Sequence, residues 1–252
     1  MSPITTSCIV FACVFSGALL GMALRNLLPE HHLDPDSRNI VNLGMALVGT
    51  MSALLLSLLI ASAKSSFDAQ RTEITQMSAD IVQLDRVLSR YGPEADSVRA
   101  VLRRVVVTAD RNWAEGASRS EWLDSPEIRA GVAGLYEKVQ ELTPHNDFQR
   151  LLQSQALQMG VELGKTRSLL LEQAGSSIPA PFLVVVVFWL SMIFTSFGLF
   201  SPRNGTVVAT LFVCALSVSG AIFLILELDS PFSGLLQISD LRLRDAITRI
   251  GQ

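Results

Sequence analysis

Cysteine and charge are both scarce in this sequence of 252 residues. Its cysteines, Cys8, Cys13 and Cys214, lie in or beside apolar stretches and show no CxxC spacing. That pattern predicts neither a disulfide framework nor a zinc site. Charged residues make up 17% of the chain and the formal net charge is −3. Since no basic patch is large, the sequence predicts no nucleic-acid partner.

Sequence motifs of enzymes are also missing. The chain has no glycine-rich phosphate loop, no HExxH motif and no nucleophile elbow, and each of these would indicate a catalytic chemistry. Residues 31–36 contain two histidines and two aspartates that could bind a metal ion or sense pH, although a solvated loop explains them more simply. We therefore predict no enzyme, no catalytic residue, no cofactor and no metal site.

Long apolar stretches are abundant. Hydrophobic residues make up 49% of the chain and concentrate in residues 9–24, 40–63, 181–200 and 207–226. Each stretch is close to the roughly 20 residues that cross a bilayer as a helix. The first is not preceded by the lysine or arginine of a secretory leader. The sequence therefore predicts four membrane-spanning helices, the first of them retained. Gly17 and Gly21 predict a close helix contact in this first span, within the chain or between subunits.

Residues 40–91 are predicted to form one helix that begins in the membrane and ends in water. Its first 24 residues carry no charge. The second half is charged but has an apolar seam with a period of about 3.5 residues, which is typical of a helical bundle. No glycine or proline interrupts the chain between Gly49 and Gly92. The seam consists of Phe67, Ile74, Met77, Ile81, Leu84, Leu88 and Tyr91, and only Gln70 breaks it.

Three further helices are predicted between this rod and the third apolar stretch. The first follows Gly92 and Pro93. The next begins at Ser125 with Pro126 behind it, and the last begins at Thr143 with Pro144 behind it, because a capping residue followed by proline is typical of a helix start. Together with the second half of the rod they predict a four-helix bundle.

The predicted fold is an all-α membrane protein with four transmembrane helices and a cytoplasmic helical bundle inserted between the second and third. Residues 1–63 hold transmembrane helices 1 and 2 with a short outer loop, and residues 64–176 hold the bundle, continuous with helix 2. Residues 177–228 hold transmembrane helices 3 and 4, and residues 229–252 form a cytoplasmic amphipathic tail. The tail is expected to dock on the bundle or to lie on an anionic leaflet.

Basic residues near the predicted membrane ends indicate the orientation. The two short loops supply only Arg25, Arg38 and Arg203. By the positive-inside rule, both termini and the bundle are expected to lie in the cytoplasm. The opposite face receives Lys64, Arg71, Lys165, Arg167, Arg242, Arg244 and Arg249.

Small and weakly polar side chains recur on one side of the second span. Ala61 extends the pattern at a spacing of four residues. This side is less suited to lipid than the leucines opposite, so it is expected to face protein or water. It either packs in a core or supplies hydroxyls to a narrow pore. The candidate pore-lining residues are Asn42, Gly49, Thr50, Ala53 and Ser57.

Two carboxylates mark the end of the fourth span. Such groups at a membrane edge cost free energy unless they are solvated or paired. They are therefore expected to form a structural clamp with basic residues, or a vestibule that attracts cations. The candidate residues are Glu227, Asp229, Pro231, Phe232 and Gly234. Their candidate basic partners are Lys64, Arg71, Arg242 and Arg244.

Four stretches carry a family resemblance: LDRVLSRYGPE at residues 84–94, FWLSMIFTSFGLFSPRN at 188–204, CALSVSGAIFLILELDSPFSGLLQIS at 214–239, and LRDAITRIGQ at 243–252. With them, nearly the whole chain resembles a bacterial membrane-protein family of unknown function that is described as bestrophin-like. This resemblance implies that the spans lie in the inner (plasma) membrane of a bacterium. ELDSPFSG is the most specific part.

The resemblance implies kinship to bestrophins, which are pentameric ion channels with four membrane segments and a large helical cytoplasmic part. Bestrophins stack Ile and Phe rings along the second segment, whereas residues 40–63 contain no Phe. Their acidic calcium clasp has no counterpart near this C-terminus. The resemblance therefore does not extend to their gate or their calcium control.

Two functions remain open. The first is an oligomeric ion channel or pore, a homo-oligomer in contact with membrane lipid and inorganic ions, because one chain has too few polar groups to enclose a water-filled path. The second is a non-conducting membrane scaffold or signalling protein whose cytoplasmic bundle binds a partner.

Overall fold

The computed structural model describes residues 2–25, 27, 35–115, 119–172, 178–202 and 204–229. All regular structure within these ranges is helical, as predicted. Helices α1, α2, α7 and α8 are each long and apolar enough to cross a membrane. The helices are α1 Pro3–Leu24, α2 Pro35–Tyr91, α3 Asp96–Ala114, α4 Arg119–Asp124, α5 Pro126–Glu141, α6 Asp147–Glu172, α7 Ala180–Phe200 and α8 Gly205–Leu228, with a 3-10 turn at Pro93–Ala95.

The chain forms two compact units. Unit 1 comprises residues 1–67 and 176–230, and unit 2 comprises residues 68–175 and 231–252. Helix α2 contributes to both, because it is one uninterrupted helix of 57 residues. The prediction of a single helix ending at Tyr91 is therefore confirmed, although the helix begins at Pro35 rather than Ile40.

Helix α1 lies at the centre of unit 1 and packs mainly on α7 and α8. It runs parallel to α7, since Gly17 approaches Ser191 and Gly21 approaches Thr195. It runs antiparallel to α8, where the Ser219 hydroxyl donates a hydrogen bond to the Ser7 carbonyl at 2.7 Å. The core between these helices is apolar and includes Val14, Ala18, Val186, Leu190, Ala215 and Ile222.

Two glycines set the crossing of α1 and α7. A Cβ atom on Gly21 would lie 2.0 Å from the Thr195 carbonyl oxygen, and one on Gly198 would lie 2.0 Å from the Ala18 carbonyl oxygen. Only glycine lets two helix backbones approach this closely. The predicted close contact at Gly17 and Gly21 is thus confirmed as a contact within the chain. Just beyond the crossing, the Arg25 guanidinium donates a hydrogen bond to the Ser201 carbonyl.

Unit 2 is built around the second half of α2. The predicted seam is buried from Ile74 to Tyr91, and Phe67 is half-buried. Gln70, which breaks the apolar pattern, occupies a buried seam position as well, with 3% of its surface exposed. The other helices of unit 2 also bury apolar side chains, namely Val98, Leu102, Val106, Ile128, Leu135, Val139, Leu152 and Ala156.

A bidentate ion pair joins α2 to α3. Arg99 Nε and Nη2 donate to the two carboxylate oxygens of Asp85 at 2.9 and 3.1 Å. Asp85 is buried, and 21% of the Arg99 side chain is exposed. The hydrogen bond with Asp85 raises the pKa of Arg99 above its ordinary value, burial opposes this, and the charges of Asp85 and Asp96 add to it. A charged, bidentate pair of this kind fixes the register between two helices.

One predicted helix boundary in unit 2 is confirmed and another is wrong. The Ser125 hydroxyl accepts the Ile128 N–H, and α5 begins at Pro126 as predicted. The last bundle helix, α6, does not begin at Thr143. It begins at Asp147, because the Asn146 side-chain oxygen accepts the Gln149 N–H at 2.7 Å and provides the cap. The short helix α4 was not predicted.

Candidate functional site

The membrane half of α2 is the least buried of the four candidate spans. Of its apolar window, 11% is buried within the chain, against 33% in α1 and in α7 and 28% in α8. The side chains that reach the core of unit 1 are Ser52, Leu59 and Ala63, with Leu55 and Leu56 partly buried beside them. Most of the circumference of this helix therefore faces away from the rest of the described chain.

The exposed part of α2 includes two adjacent sectors, besides the exposed Met51 and Ile60. At 3.6 residues per turn, the first lies nearest to the buried side and carries small or polar side chains. We name it the small sector, and it consists of Asn42, Thr50, Ala53, Ser57 and Ala61, which are all exposed. The second, the leucine sector, consists of Leu43, Leu47, Leu54 and Leu58, with exposures of 73%, 64%, 72% and 61%.

The structure thus places four of the five predicted pore-lining residues, Asn42, Thr50, Ala53 and Ser57, on one exposed strip. Gly49 lies at its edge and is half-buried, with the Ile193 Cδ1 atom 4.0 Å from where its Cβ would be. The Thr50 hydroxyl donates to the Leu47 carbonyl at 2.7 Å, and the Ser57 hydroxyl donates to the Ala53 carbonyl at 2.8 Å. Because each proton is used within the helix, the oxygen lone pairs remain available on the surface of the sector.

A cavity of about 520 Å³ opens at the N-terminal end of the small sector. Its wall includes two predicted site residues, Asn42 and Gly49, together with Arg38, which was predicted as a loop charge and not as a site residue. The Arg38 guanidinium lies over the Phe200 ring, 5.9 Å from its centroid. Because Arg38 is exposed, a cation–π contact of this kind contributes about 0.5–1 kcal/mol. The cavity is also lined by Met45, Ala46, Ile193, Ser196, Phe197 and Ser201.

The carboxylates at the end of α8 differ in exposure. Glu227 is buried, with 3% of its surface exposed. Asp229 is half-buried and ends the helix, where its backbone N–H donates to the Ile225 carbonyl at 3.2 Å. The other predicted members of this site, Pro231, Phe232 and Gly234, lie outside the described residues, as do the candidate partners Arg242 and Arg244.

The described part of the chain holds no group of three or more His, Cys, Asp or Glu side chains that could bind a metal ion. Residues 31–34, which include His31 and His32, are not among the residues described. Among the described residues of unit 1, the exposed strip on α2 and the buried carboxylate of α8 are the candidate polar sites.

Comparisons with known proteins identify a family and a related fold. The family profile described as Bestrophin-like domain matches residues 12–243. Two crystal structures of a bacterial bestrophin homologue from Klebsiella pneumoniae, each with a point mutation, are similar over 97% and 96% of this chain and 99% of theirs, with TM-scores of 0.67 and 0.66. At 12% identity this similarity shows a shared fold. The search of the curated proteins found no match.

Proposed function

The chain belongs to the bestrophin-like family, and from this premise we propose that it is a subunit of an oligomeric ion channel whose pore is lined by α2. The observation that carries the proposal is the exposure of α2. A span that buries only 11% of its apolar window in its own chain has most of its surface available to lipid, to a neighbouring subunit or to water.

The small sector is the proposed pore lining. Its hydroxyl and amide groups can replace part of the hydration shell of an ion, which lipid and leucine cannot do. The leucine sector next to it is suited to lipid or to a neighbouring subunit. A single chain leaves the small sector uncovered, so a closed path for ions requires several copies around one axis.

The proposed topology has four spans, with the bundle at residues 64–176 and both termini in the cytoplasm. It is supported by the packing of unit 1, where α1 and α7 run parallel and α8 runs antiparallel to them. The basic residues Lys64, Arg71, Lys165 and Arg167 support the cytoplasmic assignment of the bundle. A reporter fused after Gln252 that is active only outside the inner membrane would contradict this orientation.

For Glu227 and Asp229 we propose a structural clamp at the membrane edge. The burial of Glu227 supports a clamp over a cation-attracting vestibule, because a carboxylate in a vestibule must be accessible to ions. The proposal predicts that Glu227→Gln lowers stability and leaves ion selectivity unchanged.

Cysteine labelling tests the pore assignment. The native Cys8, Cys13 and Cys214 are exposed, so they are first replaced by serine. Thr50→Cys or Ser57→Cys is then introduced, and ion flux from liposomes is measured before and after a charged thiol reagent is added. We expect the reagent to change the flux through both variants and to leave a Leu54→Cys control unaffected. Equal effects in both sectors would contradict the assignment.

A further inference from the structure

An apolar cavity of about 460 Å³ lies inside unit 2. All five bundle elements contribute to it, namely α3 to α6 and the second half of α2. Its walls include some of the most deeply buried side chains of the unit, such as Leu84, Leu102, Val106 and Trp122. Protein cores are packed nearly as densely as organic crystals, and their voids are rarely larger than a water molecule. A volume of this size is instead typical of pockets that hold small molecules.

Small residues on α6 leave the cavity unfilled. Ala156, Gly160 and Gly164 follow one another at single turns of the helix, and all three line the cavity. A Cβ atom on Gly164 would have no neighbour within 4 Å, and one on Gly160 would be 4.0 Å from Tyr136. Helix α5 cannot close the gap without leaving α3, to which it is tightly packed at Gly131.

The cavity has an opening at the surface of unit 2. Three of its lining residues on α5, Ala133, Tyr136 and Glu137, are exposed. The cavity therefore reaches the surface along α5, so entry of a molecule does not require unfolding of the bundle.

A positively charged group lies at the edge of this apolar volume. Arg167 lines the cavity, and 19% of its side chain is exposed. Its Nε donates to the Leu123 carbonyl at 2.7 Å, and its Nη2 donates to Asp124. Arg129 Nε lies 3.8 Å from the same Asp124 carboxylate. The Asp124 carboxylate is thus shared by two guanidinium groups and cannot neutralise both, while Glu137 is the other charged side chain that lines the cavity.

From the apolar walls, the surface opening and the charge of Arg167, we propose that the cavity binds a single-chain fatty acid, with its hydrocarbon chain inside the bundle and its carboxylate at Arg167. The hydrocarbon chain of the fatty acid fills the cavity and contacts its apolar walls. The Arg167 guanidinium pairs with the carboxylate of the fatty acid. This site is independent of ion conduction, so either proposal can fail without the other.

Tryptophan quenching in the full-length protein tests the proposal. Trp122 lines the cavity. The centroids of the Trp113 and Trp122 rings are 4.7 Å apart. The remaining tryptophan, Trp189, is removed by Trp189→Phe. The protein is reconstituted in nanodiscs and titrated with undecanoic acid that carries bromine on its terminal carbon, since bromine quenches tryptophan at contact distance. We expect saturable quenching.

Matched variants separate the cavity from the lipid background. Gly164→Leu fills the cavity and should abolish saturable quenching. Gly134→Leu is the control, because its Cβ is also unobstructed but it does not line the cavity. Equal quenching in these two variants, or quenching that never saturates, would overturn the proposal. Circular dichroism establishes that each variant is folded.

The headgroup assignment has its own test. Arg167→Gln should weaken binding of the brominated acid about tenfold, since a hydrogen bond to a charged group is lost. It should leave binding of the corresponding brominated alcohol unchanged, and Arg167→Lys should retain binding of the acid. If the acid binds Arg167→Gln as tightly as the wild type, the carboxylate does not lie at Arg167.

Discussion

Replacing Gly198 by alanine forces the backbones of α1 and α7 apart. The new Cβ would lie 2.0 Å from the Ala18 carbonyl oxygen, whereas ordinary van der Waals contact begins at 3.4 Å. The obstacle is a backbone atom, which cannot rotate away as a side chain can. The helices must therefore separate by about 1.4 Å, and they lose contacts along the whole crossing. Gly21→Ala meets the Thr195 carbonyl oxygen at the same distance and should behave alike.

The expected cost follows from this geometry. Overpacking costs about 1–3 kcal/mol. Gly198→Ala should lie near the upper end of this range, because the new Cβ meets a backbone atom that cannot rotate away. Alanine recovers about 1 kcal/mol of helix propensity, so the net loss is about 2 kcal/mol. For a chain of this size each kcal/mol shifts the melting temperature by about 2–4 °C. We therefore expect the melting temperature of the detergent-purified protein to fall by about 4–8 °C.

Two other glycines supply the control for this experiment. Gly44 in α2 and Gly220 in α8 also lie within apolar helices, but a Cβ on either would meet no atom within 4 Å. Gly44→Ala and Gly220→Ala should leave the melting temperature unchanged or raise it slightly. If Gly198→Ala is as stable as Gly220→Ala, the close crossing of α1 and α7 is wrong.

Three further predictions concern α2 and unit 2. Asp85→Asn breaks the bidentate pair with Arg99 and should destabilise unit 2 by about 2–3 kcal/mol, less than for a fully buried pair because Arg99 is partly exposed; thermal unfolding measures the loss, and wild-type stability would contradict it. Asn146→Ala should lower the free energy of unfolding by about 1 kcal/mol because it removes the N-cap of α6, whereas Thr143→Ala should leave stability unchanged. A larger loss for Thr143→Ala than for Asn146→Ala would support a helix start at Thr143. Amide hydrogen exchange should be slow throughout residues 62–68, and rapid exchange there would contradict a continuous α2.

Helix boundaries could be predicted from the sequence where only one nearby residue was able to cap the helix. The Ser125 cap followed by Pro126 correctly marked the start of α5. The same pattern at Thr143 and Pro144 failed, because Asn146 caps α6 instead. The Gln153 amide also bonds the Val139 and Leu142 carbonyls at the end of α5, at 2.9 and 2.8 Å. Side chains of α6 thus help to determine where α5 ends and where α6 begins.

The candidate site was only partly predictable, for a similar reason. The small sector of α2 follows from the spacing of residues along one helix, so the sequence alone could group Thr50, Ala53 and Ser57. The cavity beside Arg38 and the apolar cavity beside Gly164 are volumes between helices. Their existence depends on how closely neighbouring helices pack, and residue spacing along one helix carries no information on that distance.

The most direct test of the central claim is ion flux from liposomes, measured on purified protein whose oligomeric mass has been determined in the same preparation. The account predicts a defined ring of subunits that conducts ions, with flux that changes when Ser57→Cys is labelled. A monomer or dimer that passes no ions would contradict it, and would favour a membrane scaffold whose bundle binds a partner.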